Sequence, residues 1–184
     1  MAADASSAST APAAAVAEVD DEAPMLSDAE AEAIVRTWGL DPANLRATFG
    51  SDGMTVWHEA GRRGDIDMCR WLKAQGLLDM INNRNEDGET PLMGAIGFQE
   101  EDTAKWMVAN GADLAAVDTS QRTAFYLACK YMSFAFVQDL ADKVPPEHLS
   151  LPNRSGTITS IRAAFVHNDD RRSIVQVLDS SRIH

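Results

Sequence analysis

A period runs through this chain. Gly53, Gly88, Gln121 and Gly156 are spaced 35, 33 and 35 residues apart, and several residue types share the rhythm. Thr55, Thr90 and Thr123 keep one offset. Ala60, Ala95, Ala128 and Ala163 keep another, and so do the pairs Trp71/Trp106 and Gly76/Gly111. Asn85, Asp118 and Asn153 each stand three residues before the Gly or Gln of their unit. A fixed period of this length belongs to stacked supersecondary units, none of which buries its apolar face alone. Such an array offers an extended surface rather than a catalytic cleft.

The physics of one unit can be read residue by residue. Thr55 suits the N-cap of a short helix running to about Arg63. Ala60 and its equivalents are small, so a neighbouring helix can approach closely. Gly64 permits a sharp reversal. A second helix over about 67–74 places Met68, Cys69, Trp71 and Leu72 on a buried stripe, and Gly76 closes it. Residues 77–87 then form an extended finger, or hairpin, between units. Ahead of the array, Ser27 and Glu30 have capping-box form with Leu26 as staple, and Ala29, Ala33, Ile34 and Trp38 give a helical apolar face. Gly39 is a stop. Asp41-Pro42 is a second helix start, with Leu45 and Phe49 apolar and Gly50 at its end. A helical pair here would cover the apolar face of the first unit.

Gly53-Met54-Thr55-Val56-Trp57-His58-Glu59-Ala60, Gly88-Glu89-Thr90-Pro91-Leu92-Met93-Gly94-Ala95 and Gln121-Arg122-Thr123-Ala124-Phe125-Tyr126-Leu127-Ala128 resemble the G-x-T-P-L-H-x-A motif of the ankyrin-repeat family. Gly111-Ala112-Asp113-Leu114 is similar to its G-A-D-V element. The resemblance covers about residues 51–180. It implies an all-α ankyrin solenoid of stacked helix-turn-helix units with short hairpin fingers. The organisation expected is a disordered acidic Ala/Ser-rich tail over 1–24, a helical N-terminal cap over 25–50, and four repeats over 51–84, 85–117, 118–152 and 153–184. Departures are local. Gln121 stands where Gly is expected, and Val144-Pro145-Pro146 replaces the closing Gly-Ala, so the third finger is expected to run differently. The fourth repeat keeps Gly156 and Ala163-Ala164, has Ile158 at the Thr position, and carries an insertion within 167–172.

Charge and cysteine usage exclude some classes of work. The net charge is −12. Residues 1–50 hold nine acids against two Arg. Acidity of this kind disfavours nucleic acid and anionic membranes as partners. The tail lacks aromatic residues and cannot offset its ordering entropy by burial. It carries Asp20, Asp21 and Glu22, and its first Arg is Arg36, unlike an organellar import peptide. No apolar run reaches membrane-span length. Cys69 and Cys129, both expected in the core, form no zinc spacing or disulfide framework, which suits a reducing compartment, cytoplasmic or nuclear.

Motifs for catalysis are missing: there is no phosphate loop, no G-x-G-x-x-G and no HExxH. The resemblance gives His58 the family's hydrogen-bonding role between units. His167 with Asp169 and Asp170 is the one metal-like grouping, and a solvated loop is the simpler reading. No enzyme activity, cofactor or metal is expected. Trp57, Trp71 and Trp106 read as core rather than as stacking platforms.

The resemblance also implies which residues face the concave side. They are the one before the motif Thr (Met54, Glu89, Arg122) and the two ending the first helix. The expected partner-binding stripe is Arg62, Arg63, Phe98, Lys130 and Tyr131, with Phe165 beside it. Arg and aromatic residues are enriched at interface hot spots; the competing reading packs Phe98 and Phe165 against adjacent units. The expected function is a non-enzymatic protein–protein interaction module, acting as adaptor, inhibitor or assembly factor. Its partner would be another protein presenting an acidic or mixed segment with an apolar anchor. The chain itself would be a monomer or a subunit of a hetero-complex, the alternative being a structural subunit of a larger assembly.

Overall fold

A computed structural model describes residues 26–149 and 152–155. The 1–24 tail, and Gly156, Ala163, Phe165 and His167 of the fourth unit, lie outside the described residues. Seven α-helices occur among those described: α1 (Asp28–Thr37), α2 (Val56–Arg63), α3 (Ile66–Ala74), α4 (Pro91–Gly97), α5 (Glu101–Ala109), α6 (Ala124–Tyr131) and α7 (Phe134–Ala141). Helices α2/α3, α4/α5 and α6/α7 form three successive helical hairpins. Within each hairpin the two helices pack together, and α2, α4 and α6 stack as an inner row. The described residues contain isolated antiparallel bridges, such as Phe49–Met54 and Val117–Thr123, but no strand.

Each inner helix starts at the expected threonine. The Thr90 and Thr123 hydroxyls accept from Met93 N (3.4 Å) and Tyr126 N (3.0 Å), satisfying backbone donors that the first helical turn leaves open. The reversal into the outer helix uses the left-handed region at Gly64 (φ 69°), and Gln99 takes the same conformation (φ 65°) in the second unit. Asp65 and Ser133 cap α3 and α7 through Met68 N and Phe136 N.

The fingers are tight turns closed by the periodic Asn or Asp. The Asn85 side chain accepts from Glu89 N at 2.8 Å, and Asp118 accepts from Ser120 N and Arg122 N at 2.8 Å. Gln121 holds φ 59°, close to the 73° of Gly88, so the substitution leaves this turn intact. Successive turns are stitched by one backbone bond each. Glu86 N donates to Asp52 O, Thr119 N to Asp87 O and Arg154 N to Ser120 O, all at 2.8 Å.

The core lies between the two helix rows. Trp57 and Trp106 are fully buried and stack with centroids 6.2 Å apart. Trp57 Nε1 donates to Leu77 O at 2.8 Å, while Trp106 Nε1 is buried with no partner among the described residues. Met68, Cys69, Trp71 and Leu72 are buried on α3 as expected; Cys129 is half-buried.

The N-terminal segment differs from expectation in two details. The Ser27–Glu30 capping box forms, but α1 buries Ala31 and Val35 and exposes Ala29 and Ala33. Its phase is fixed by Asp28, whose carboxylate accepts from Trp71 Nε1 and Gln75 Nε2, both at 2.9 Å. Residues after Asp41 make only a 3-10 turn, Pro42–Asn44. Phe49 is instead drawn into paired backbone bonds with Met54, which build the first finger.

Candidate functional site

The inner helices and the fingers enclose a groove of about 210 Å³. One wall is helical: Arg62 lies in the last turn of α2, Phe98 caps α4, and Tyr131 ends α6. The other comes from the fingers: Asp52, Asp87, Glu89 and Arg122. Met54, Met93 and Leu127 line its floor.

His58 fixes the relation between wall and floor. Its Nε2 lies 3.0 Å from the Glu89 carbonyl, an acceptor only, so Nε2 carries the proton. Nδ1 is therefore bare. It accepts from Thr55 N–H at 3.1 Å and stands 2.8 Å from the Thr55 hydroxyl. The neutral ring thus ties the first inner helix to the second finger. Burial, with the Arg62 charge adding to it and the Glu89 bond opposing, holds its pKa below the usual histidine value.

The groove's two arginines are already engaged. Arg62 lies over the Phe98 ring, 4.5 Å from its centroid, and reaches Met54 Sδ at 3.8 Å. Arg122 bonds the buried Asp118 carboxylate and Glu89 Oε1 (3.3 Å). Burial works against the Arg122 charge, but the Asp118 bond and charges outweigh it and raise its pKa. Phe98 is 54% exposed, the one large apolar side chain so exposed among the described residues.

The structure divides the stripe expected from sequence. Arg62, Phe98 and Tyr131 line the groove together, and Lys130 sits beside it with its ammonium 4.8 Å from the Tyr131 ring centroid. Arg63 stands elsewhere. It pairs with Glu59 at 2.6 Å, covers the Trp38 ring at 5.4 Å, and lines an open cleft of about 650 Å³ with Ile66, Asp67 and Arg70. Glu89 and Arg122 stand on the face the resemblance implied, whereas Asp87 falls in the 77–87 finger and Asp52 just ahead of the first motif, positions not expected to face inward. The signal was present, since an Asp precedes both Gly53 and Gly88. The groove is therefore mixed in charge rather than basic.

Among the described residues, no His, Cys, Asp or Glu form a group of three or more placed to hold a metal. Burial pushes the Cys129 thiol up to about 12 and raises Cys69 further, so neither is poised as a nucleophile. No helix among the described residues is long and apolar enough to cross a membrane. A family model described as ankyrin repeats (three copies) matches residues 30–118 and, in an overlapping placement, 57–149. Together the two placements span more than half of the chain.

Proposed function

The chain belongs to the ankyrin-repeat family, whose repeats are in general non-enzymatic protein–protein interaction modules, and from that premise we propose that it holds its partner in the groove between inner helices and fingers. Arg62, Phe98, Lys130 and Tyr131 make the helical side of the contact, and Arg63 extends it toward Trp38. The observation that carries this reading is Phe98. It is exposed at the groove's rim and braced by Arg62, the form of a preorganised apolar anchor. Bound there, the protein acts by masking, docking or bridging, as an adaptor, inhibitor or assembly factor. Its two separate free thiols suit work in a reducing compartment, cytoplasm or nucleus.

Affinity capture with the full chain, compared with the Phe98→Ala/Tyr131→Ala variant, tests the reading. Phe98 is exposed, whereas Tyr131 packs partly against the core, so the variant is expected to stay folded with a lower melting midpoint and to lose the captured protein. Undiminished capture by a folded variant would move the contact off the groove. Recovery of the chain only in a fixed-ratio assembly would favour a structural subunit over a transient adaptor.

A further inference from the structure

Charge in the groove is unevenly spent. Arg122 is committed to Asp118 and Glu89, and Arg62 to the face of Phe98. Asp52 and Asp87 have no ion-pair or side-chain hydrogen-bond partner among the described residues, although both line the groove. They are held in place by backbone, because the Asp52 and Asp87 carbonyls accept the bonds that stitch each finger turn to the next. Two carboxylates thus stand at equivalent points of neighbouring units. Across the groove from them lie Phe98 and Tyr131.

We infer that the partner segment is basic and apolar: Lys or Arg side chains facing Asp52 and Asp87, and an aromatic or aliphatic side chain seated on Phe98 and Tyr131. This deepens the groove reading above and rests on it. An acidic segment, one of the two kinds expected from the sequence, would meet two unneutralised carboxylates inside a protein of net charge −12. A basic segment meets complementary charge at the wall and is steered by the whole molecule. Neighbouring units stack at about 8–10 Å, the usual spacing of packed helices. A polyproline II segment rises about 3.1 Å per residue with three residues per turn, so cations at positions i and i+3 share one face and match both carboxylates.

The probe is a random linear-peptide display library selected on the full-length chain. Enriched peptides are then synthesised and titrated calorimetrically against the parent, Asp52→Asn/Asp87→Asn and Phe98→Ala. The Asn variant is isosteric, and the side chains it changes make no hydrogen bond among the described residues. A thermal melt confirms its fold. The expected result is enrichment of Lys or Arg with an aromatic or aliphatic residue. Affinity should fall about tenfold or more in the Asn variant, equivalent to a lost close charge pair. Parent affinity should also weaken between low ionic strength and about 0.3 M salt, where screening is short-ranged, and the Asn variant should flatten that dependence. Peptides that need Phe98 but ignore both carboxylates, or that are themselves acidic, would overturn this inference and leave the groove reading standing. Peptides indifferent to Phe98, or no enrichment at all, would overturn both.

Discussion

The inner and outer helix rows meet their neighbours in opposite ways. Inner helices α2, α4 and α6 pack far more closely on one another than do outer helices α3, α5 and α7. The inner row is small where it touches. A Cβ added at Gly61 would stand 2.7 Å from the Pro91 carbonyl oxygen, and one at Gly94 would be 3.2 Å from Arg62 Cγ. The outer row is bulky, with Trp71 and Trp106 turned inward. Close packing on one side and large side chains on the other are the combination that bends a stack of helical hairpins toward its inner row. The bulk of the outer row repeats with the 35-residue spacing of Trp71 and Trp106, whereas the small inner contacts, Gly61 and Gly94, fall at different points of their units.

Removing the outer bulk should have the largest effect. Trp106→Ala is expected to cost about 3–5 kcal/mol in chemical denaturation, with a broader, less cooperative transition as coupling between units weakens. A near-parental midpoint would mean that Trp106 does not separate the rows. Adding inner bulk should act in the same direction, more weakly. Gly61→Ala is expected to cost about 1–3 kcal/mol, because the new methyl meets backbone and not a yielding side chain. A neutral result would show that the inner helices tolerate separation.

A smaller effect should come from the fingers. Gln121→Gly is expected to gain about 1 kcal/mol by relieving a left-handed L-residue, read as a higher midpoint; a loss would show that the Gln side chain stabilises the turn. At neutral pH the smallest effect belongs to His58. Its folded pKa lies below the ordinary 6.5, so the unfolded chain binds a proton that the fold refuses. Its contribution is full above pH 6.5 and declines as pH falls from there toward the depressed folded value. Denaturation midpoints between pH 7 and 5, relative to His58→Gln, should show this extra slope in the parent alone.

Much of this architecture was legible in the chain. Thr55, Thr90 and Thr123 marked the helix starts, and Trp57, Trp71 and Trp106 fell in the core where the spacing put them. What escaped has physical reasons. Ala29, Ala31 and Ala33 offer equivalent small surfaces, so the phase of α1 waited on the Asp28–Trp71 contact. Gln99 and Gln121 hide left-handed turns that only Gly announces. Arg62 and Arg63 are successive helical residues, about 100° apart around the axis, so one faces the groove and the other Trp38. Asp87 lies in a finger read as a linker and Asp52 between the expected stop at Gly50 and the first motif, and neither place gives a sense of facing inward.

That split between Arg62 and Arg63 offers the most direct test of where the partner sits. A photo-reactive phenylalanine analogue can replace Phe98 in one variant and Arg63 in another. Irradiation with the captured partner, read by mass spectrometry, should give a strong cross-link from position 98 and at most a weaker one from position 63. A cross-link from position 63 with none from position 98 would place the partner in the Trp38 cleft and contradict the groove.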